Sequence, residues 1–574
     1  MPILAALSGL PGLHAQSIAP RDRRPVTFNR DVAPILYQHC ATCHRPGEAA
    51  PFNLLTFDDA RQRARLIAAA VSSGVMPPWQ PESEDGEFEG DRRLAPREVA
   101  TLTQWVDDGL IEGDGEAPPP MPMFTPGWQL GTPDLIVAMP EGFTVPADGP
   151  DVFRNFVLPI PMSERRFVRA LEFRPGNPRV LHHARMLLDD TGEVRLLDRS
   201  NDGPGFGGMD VPGARFPDGH FLGWAPGKRP AREAYPWPLE PGNDLVIQMH
   251  LKPSGRPELV QASVGLYFTD TPPPTSPVML RLGAKTIDIP ADSADYEVID
   301  RFTLPTDVLA LSIYPHAHYL AKEMLVLARR PNGTTEKLLN IPNWNFNWQD
   351  EYTYAQPVAL TRGTTIEMRY RYDNTAGNPH NPSVPPQRVR FGSGTRDEMG
   401  ELLVQVLPRS TDAAAALRAQ VARKNLLTDV AGEEKRVADV PDDAETRNAL
   451  GARLRAARSH ERGGRAVRSC AAYQSRSRDG ALQPRCDCDG AGTYGRRDQS
   501  VRACPCCASR LRGSPQQPWC RARGERPSAG GGRRAVAGAG RRRATRVRTT
   551  IWAGCCWHAA HVENKPSGVP GRAR

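Results

Sequence analysis

The stretch "YPHAHYLAKEM", residues 314–324, sets His316 and His318 one residue apart in a chain with only 13 histidines. On a regular β-strand, positions i and i+2 share a face, so both imidazoles can grip one ion without distorting the backbone. Working outward, the central region offers three companions: "VLHHARMLL" with His182 and His183, "LVIQMHLKP" with His250, and "GSGTRDEMGELLV" with Met399. His182 and His183 point to opposite faces of a regular strand. If they share an ion, the strand must bulge or end there. Imidazole plus thioether favours copper, and the sulfur of Met399 suits Cu(I). Three imidazoles alone hold zinc equally well. A lone buried histidine such as His250 is usually structural, but a His-His pair followed by HxH and a distant Met is a ligand pattern.

The surrounding text reads as strands. Short alternating runs ("DLIVAMP", "RFVRALEFRP", "DLVIQMHL", "ASVGLYF") are separated by Pro, Gly and Asp, as in β-sandwiches. The cluster "TDTPPPTSP", residues 269–277, divides them into two halves, 130–270 and 278–410, each carrying one ligand set. "NWNFNWQDEYTY", residues 343–354, is rich in aromatics and suits either an apolar pocket or the core and turns of a sandwich. His220 and His380 sit among Pro and Gly and are not assigned to metal.

Ahead of a stiff Pro-rich linker at 116–129, the region 25–115 has a different character. "HCATCH" places Cys40, Cys43 and His44 in a CxxCH pattern, where two thiols can bond haem vinyl groups and the imidazole lies under the iron. A redox CxxC is the alternative. A helical run leads into the motif, and Met76 in "SGVMPPW" supplies a sixth ligand, with core packing as its bland reading. "LAPREVATLTQWVDDGLIEGD" reads as an amphipathic helix with Val99, Leu102, Trp105 and Val106 on one face. The region resembles a class I cytochrome c domain. Haem of this kind is attached outside the bacterial cytoplasm, so the resemblance implies a periplasmic or otherwise exported protein.

The motifs "LHHARMLL", "GWAPG", "QMHL", "HAHYLAKEM" and "GSGTRDEM" together resemble the copper type II, ascorbate-dependent monooxygenases, the peptidylglycine and dopamine β-monooxygenase family. The resemblance covers about residues 130–410. It implies two jelly-roll-like domains with two copper ions. His182, His183 and His250 would hold an electron-transfer copper, and His316, His318 and Met399 the copper that binds O2. The expected reaction is hydroxylation of a C–H bond of a small-molecule substrate, with electrons entering through covalently bound haem c from an external donor. A non-catalytic electron-transfer or copper-binding protein on the same fold is the alternative. Where peptide-amidating members carry a substrate-anchoring Arg, an Asn and a Tyr, this chain has Tyr314, Glu401 and Leu403. That difference points away from peptide amidation.

The formal net charge of +8 is unevenly distributed: residues from 451 onward hold about 27 basic and 7 acidic side chains, leaving the rest net negative. The basic balance therefore says nothing of nucleic-acid binding by the body. Nine of the 11 cysteines lie from Cys470 onward, so no disulfide framework spans the body. Residues 1–16 read as the remnant of a secretory signal, and no apolar run is long enough for stable membrane insertion. Residues 411–454 read as a linker and the start of a TPR-like helix. From 455 to 574 the text is Arg-, Gly- and Ala-rich without helical or strand period, as expected of a disordered tail or an out-of-frame reading.

Overall fold

The structure is a computed structural model. It describes residues 24–458 apart from 83–86, 114, 116, 118, 126, 210 and 445. The chain divides into two compact units, Met1–Gly464 and Arg465–Arg574, and every described residue belongs to the first. The expected signal remnant and nearly all of the expected low-complexity tail lie outside the described residues.

A π-helical turn, Phe28–Val32, and three α-helices build the described N-terminal part: α1 (Ala33–His39), α2 (Phe57–Ser72) and α3 (Pro96–Asp107). Thr56 caps α2 by accepting the Asp59 N–H, while the Asp59 carboxylate accepts the Thr56 N–H, both at 3.1 Å. The exchange satisfies two donors that a helix start leaves orphaned. Helix α3 opens with proline, whose missing N–H costs nothing there. Leu102 and Trp105 are buried against Phe28, Leu36 and Ile67, with Val99 and Val106 at the margin of the same core.

Two β-sandwiches follow. The first contains β1 (Leu135–Ala138), β2 (Val152–Pro159), β3 (Arg166–Arg174), β4 (Leu181–Asp189), β5 (Arg232–Leu239), β6 (Asp244–Leu251) and β7 (Ser263–Thr269). One sheet runs β1-β7-β3-β5; the other has β2-β6-β4 at its centre with short strands at its edges. Val168, Trp237 and Leu266 of the former pack against Leu158, Met186 and Ile247 of the latter. The second sandwich contains β8 (Val278–Gly283), β9 (Tyr296–Thr303), β10 (Val308–Ala317), β11 (Ala321–Arg329), β12 (Thr335–Ile341), β13 (Tyr352–Leu360), β14 (Thr365–Tyr372) and β15 (Gly400–Pro408). Its sheets run β8-β15-β10-β13 and β9-β14-β11-β12. Every pairing between these strands is antiparallel. The alternation along β8, buried at Val278, Leu280 and Leu282, fits a sheet with one face on a core. The four expected strand runs of the first half fall on β1, β3, β6 and β7.

The parts are joined closely. Outward-facing Tyr314 and Leu403 of the second sandwich meet Phe221 of the first, and the Tyr314 and Phe221 rings stack at 4.0 Å. The N-terminal part adds a short strand to β13, which is an edge strand. Phe88 bridges Tyr354, the Glu89 N–H donates to Thr353 O (2.8 Å), and the Ala355 N–H donates to Glu87 O (3.0 Å). Phe88 is buried in the second sandwich's core.

One segment differs from expectation. Part of the stretch read as a linker, Thr411–Asp439, is a helix, α4, capped by Ser410. Its Ala414, Leu417 and Val421 join the second sandwich's core, so this stretch belongs to that domain. The small apolar side of α4 leaves little trace in composition, which is why it reads as a connector.

On β14 the fully buried Glu367 carboxylate accepts from Arg301 (2.6 Å), Arg329 (2.9 Å) and Arg369 (3.2 Å). The hydrogen bond from Arg329 leads in holding its pKa down to about 2, against the opposing effect of burial. The unfolded chain would then take up this proton first, near pH 4.3. The stabilisation is present above about pH 4.3 and is lost as pH falls toward 2. Glu367→Gln should cost about 2 kcal/mol at neutral pH and flatten the acid limb, as read by urea titrations across that window.

Candidate metal centres and the CxxCH motif

The first histidine set sits at the ends of two paired strands. His250 of β6 lies across from His183 of β4, but the next pair is Leu251 with Leu181. His182 is thus the extra residue of a bulge, which brings adjacent histidines to one side. The irregularity that shared ligation requires is present. His182 Nδ1 lies 3.1 Å from both His183 Nδ1 and His250 Nδ1, and the three residues form a cluster with ligand atoms within 4.8 Å of one another.

Hydrogen bonding settles where the His250 proton goes. Its Nε2 lies 2.7 Å from Asp151 Oδ2. A carboxylate there accepts Nε2–H, so Nδ1 of the neutral ring carries a lone pair. Burial pushes the pKa of all three histidines down, far below the ordinary value for His182 and His183. The rings are therefore neutral, and their converging nitrogens need something between them. Donors bonded at about 2.0 Å around a tetrahedral ion stand about 3.3 Å apart, close to the observed 3.1 Å. The donor set fits a copper or zinc ion.

The second set lies at the end of β10. His316 Nδ1 donates to Gln349 Oε1 (2.5 Å), and His318 Nδ1 donates to Asp397 O (2.9 Å). Both Nε2 atoms are then lone-pair atoms, and His316 Nε2 is buried without a hydrogen-bond partner. Burial lowers the pKa values to about 3 for His316 and about 4 for His318. An orphaned, desolvated imidazole nitrogen fits a metal ligand.

Met399 has a more ambiguous place. Ala317 pairs with Gly400 and His316 with Glu401, so one further step of that register sets Met399 opposite His318. Yet Met399 lines a space with Arg281, Lys285 and Glu401, whereas His316 and His318 line a different one with His183, His250 and Arg185. The structure brings His183, His250, His316 and His318 to one pocket, which His182 does not line, and leaves the thioether at another.

Four contributors escaped the sequence reading. Asp151 and Gln349 fix ring protons, as described. Glu398, fully buried, accepts N–H bonds from His318, Leu320 (2.9 Å) and Met399 (2.9 Å), tying the HxH segment to the Met-bearing turn. Burial pushes its pKa up to about 8, against the lowering effect of those N–H groups. Phe346 lies between the sets, its ring centroid 5.7 Å from that of His182 and 5.6 Å from that of His318. Its aromatic stretch was noticed, but nothing in the string shows which way the rings face. His220 has backbone carbonyl oxygens at 2.8 Å from both ring nitrogens, and His380 is exposed.

In the N-terminal part, Cys40 and Cys43 form no disulfide and follow α1 directly. His44 Nδ1 donates to Phe52 O (3.1 Å), leaving Nε2 for an iron. Burial pushes the Cys40 thiol up to about 12 and raises Cys43 as well. These features fit covalent haem. Gly227, at φ +87°, brings the first sandwich up to the motif; a Cβ there would come within 3.0 Å of Cys43 Sγ. Half-buried Met76 follows α2, its N–H donating to Ala70 O (3.2 Å).

No family model matches the chain, and no curated protein does. Among solved structures, the chain is similar at 11% identity to the major capsid protein P2 from bacteriophage PM2, over 45% of this chain and 97% of that one, with a TM-score of 0.20. A second likeness, to the infectious bursal disease virus VP2 subviral particle, has 10% identity, covers 49% of this chain and 73% of that one, and has a TM-score of 0.15. Likenesses of this size do not amount to a shared fold.

Asp151→Asn should weaken copper binding at the three-histidine set by about 10–100-fold, because an amide can present its donor to His250 and reverse the tautomer. Equilibrium dialysis against a copper chelator would read the loss.

Proposed function

We propose that the protein is an exported, haem- and copper-dependent monooxygenase that hydroxylates a C–H bond of a small molecule with O2. The observation that carries this reading is that His183 and His250 of one imidazole set and His316 and His318 of the other line one pocket, with His182 clustered on the first pair. When bound, copper would supply one-electron transfer and O2 activation, and haem would supply electrons to it from an external donor.

The chain's residues do the rest. His182, His183 and His250 would hold one copper, with Asp151 keeping the His250 proton on Nε2. His316 and His318 would hold the other, with Met399 swung in as its soft ligand from the other space. Cys40 and Cys43 would anchor the haem and His44 and Met76 ligate it. Phe346, Phe153 and Met209 keep the shared pocket largely apolar, and Arg185 places one cation at its wall. No helix among the described residues is long and apolar enough to cross a membrane.

One observation favours the second reading, a non-catalytic electron-transfer or copper-binding protein on the same fold: Met399 lines a space that His316 and His318 do not.

Haem-loaded protein reconstituted with copper should take up about two coppers per haem and consume O2 when given a reductant and a substrate. Met399→Ala should abolish that consumption and leave the haem spectrum intact. Two coppers without O2 consumption across a broad substrate panel would decide for the non-catalytic reading.

A further inference from the structure

Residues 343–351, which join β12 to β13, touch all three parts of the molecule. On the N-terminal side, Gln80 grips the short 3-10 turn Phe346–Trp348 at both ends. Its Nε2 donates to Trp348 O (2.7 Å), and its Oε1 accepts the Asn345 N–H (2.5 Å). Arg92 of the same part pairs with Asp350. Toward the first sandwich, Phe346 lies against His182, and Lys228 pairs with Glu351 at 3.1 Å. Toward the second, Trp344 Nε1 donates to His318 O (3.0 Å), Ser312 Oγ donates to Glu351 Oε1 (2.8 Å), and Gln349 receives the His316 proton.

The Gln349 amide cannot turn freely. Its Nε2 donates to Phe346 O (3.0 Å), inside the turn that Gln80 clasps. With Nε2 held there, Oε1 faces His316 Nδ1. Reversing the amide would bring an NH2 group against Nδ1 and favour the tautomer with Nδ1 as acceptor, moving the ring proton to Nε2. That nitrogen is the one the buried site needs as a lone pair.

We infer that Gln80 is a positioning residue for the His316 ligand. Docking of the N-terminal part sets the 345–348 turn, the turn sets Gln349, and Gln349 keeps the His316 proton on Nδ1. The second metal site is thus completed by the haem-bearing part of the chain, 236 positions upstream, although that part supplies no ligand to it. The inference deepens the proposed function and rests on it for the identity of the ion. The hydrogen-bonded route itself stands on the geometry.

The test uses the full chain, matured with haem, stripped of copper and titrated with Cu(I) against a competing chelator without O2. Wild type is measured first. Gln80→Ala and Gln349→Ala should each weaken one of the two coppers by about 10–100-fold and leave the other within about twofold. Gln349→Glu, whose carboxylate can only accept at Nδ1, should restore the affinity; a general loss of packing would not be rescued this way. Unchanged haem absorption verifies that the N-terminal part has matured in each variant. Gln80→Ala binding both coppers like wild type would overturn the inference while leaving the function standing. Equal weakening of both coppers would also overturn it. A wild-type chain that takes up no copper would remove the function and the inference together.

Discussion

A neutral imidazole has one proton for two nitrogens, and that arithmetic organises the centre of this molecule. In water the second nitrogen would be solvated or protonated. Buried among strands it can be neither without cost, so the surroundings must decide where the one proton sits. Acceptors do so at His250, His316, His318 and His44, through Asp151, Gln349, Asp397 O and Phe52 O. Each acceptor takes one N–H and thereby aims a lone pair at the opposite side of its ring. The sandwiches, the bulge at His182 and the turn at 346–348 deliver those lone pairs to common places.

Four strands of the first sandwich and the first and third N-terminal helices were legible because burial imposes its period on the text. The HxH spacing at His316 and His318 reads directly as one face of a strand. The bulge was legible through a conflict: adjacent histidines cannot share an ion on a regular strand, so the strand had to yield. The acceptors were not legible, because they meet their histidines across strand register and not along the chain. Asp151 lies 99 positions from His250, Gln349 33 from His316, and Asp397, through its carbonyl, 79 from His318. A single Asp or Gln in a loop has the same spelling whether or not it reaches a ring.

Met399 shows a different limit. Register brings it opposite His318, but a thioether on three rotatable bonds is not placed by register alone. Glu398 fixes the Met399 backbone through its N–H, and the Tyr372 hydroxyl donates to its carbonyl at 2.9 Å. The main chain at Met399 is therefore held at both its N–H and its C=O.

The strand that residues 87–89 add to β13 bears on how the molecule is divided. An uncovered β13 would present a row of unpaired N–H and C=O groups beside the empty socket of Phe88. Such an edge is a template for pairing with another chain. The N-terminal part therefore covers part of this edge, and a boundary drawn in the Pro-rich linker would cut contacts that the second sandwich's core makes. Gene fusion or truncation at that linker would exchange an internal β-ladder for a sticky margin. Selection for a clean sheet edge can thus keep the parts in one polypeptide, independently of any traffic of electrons between them.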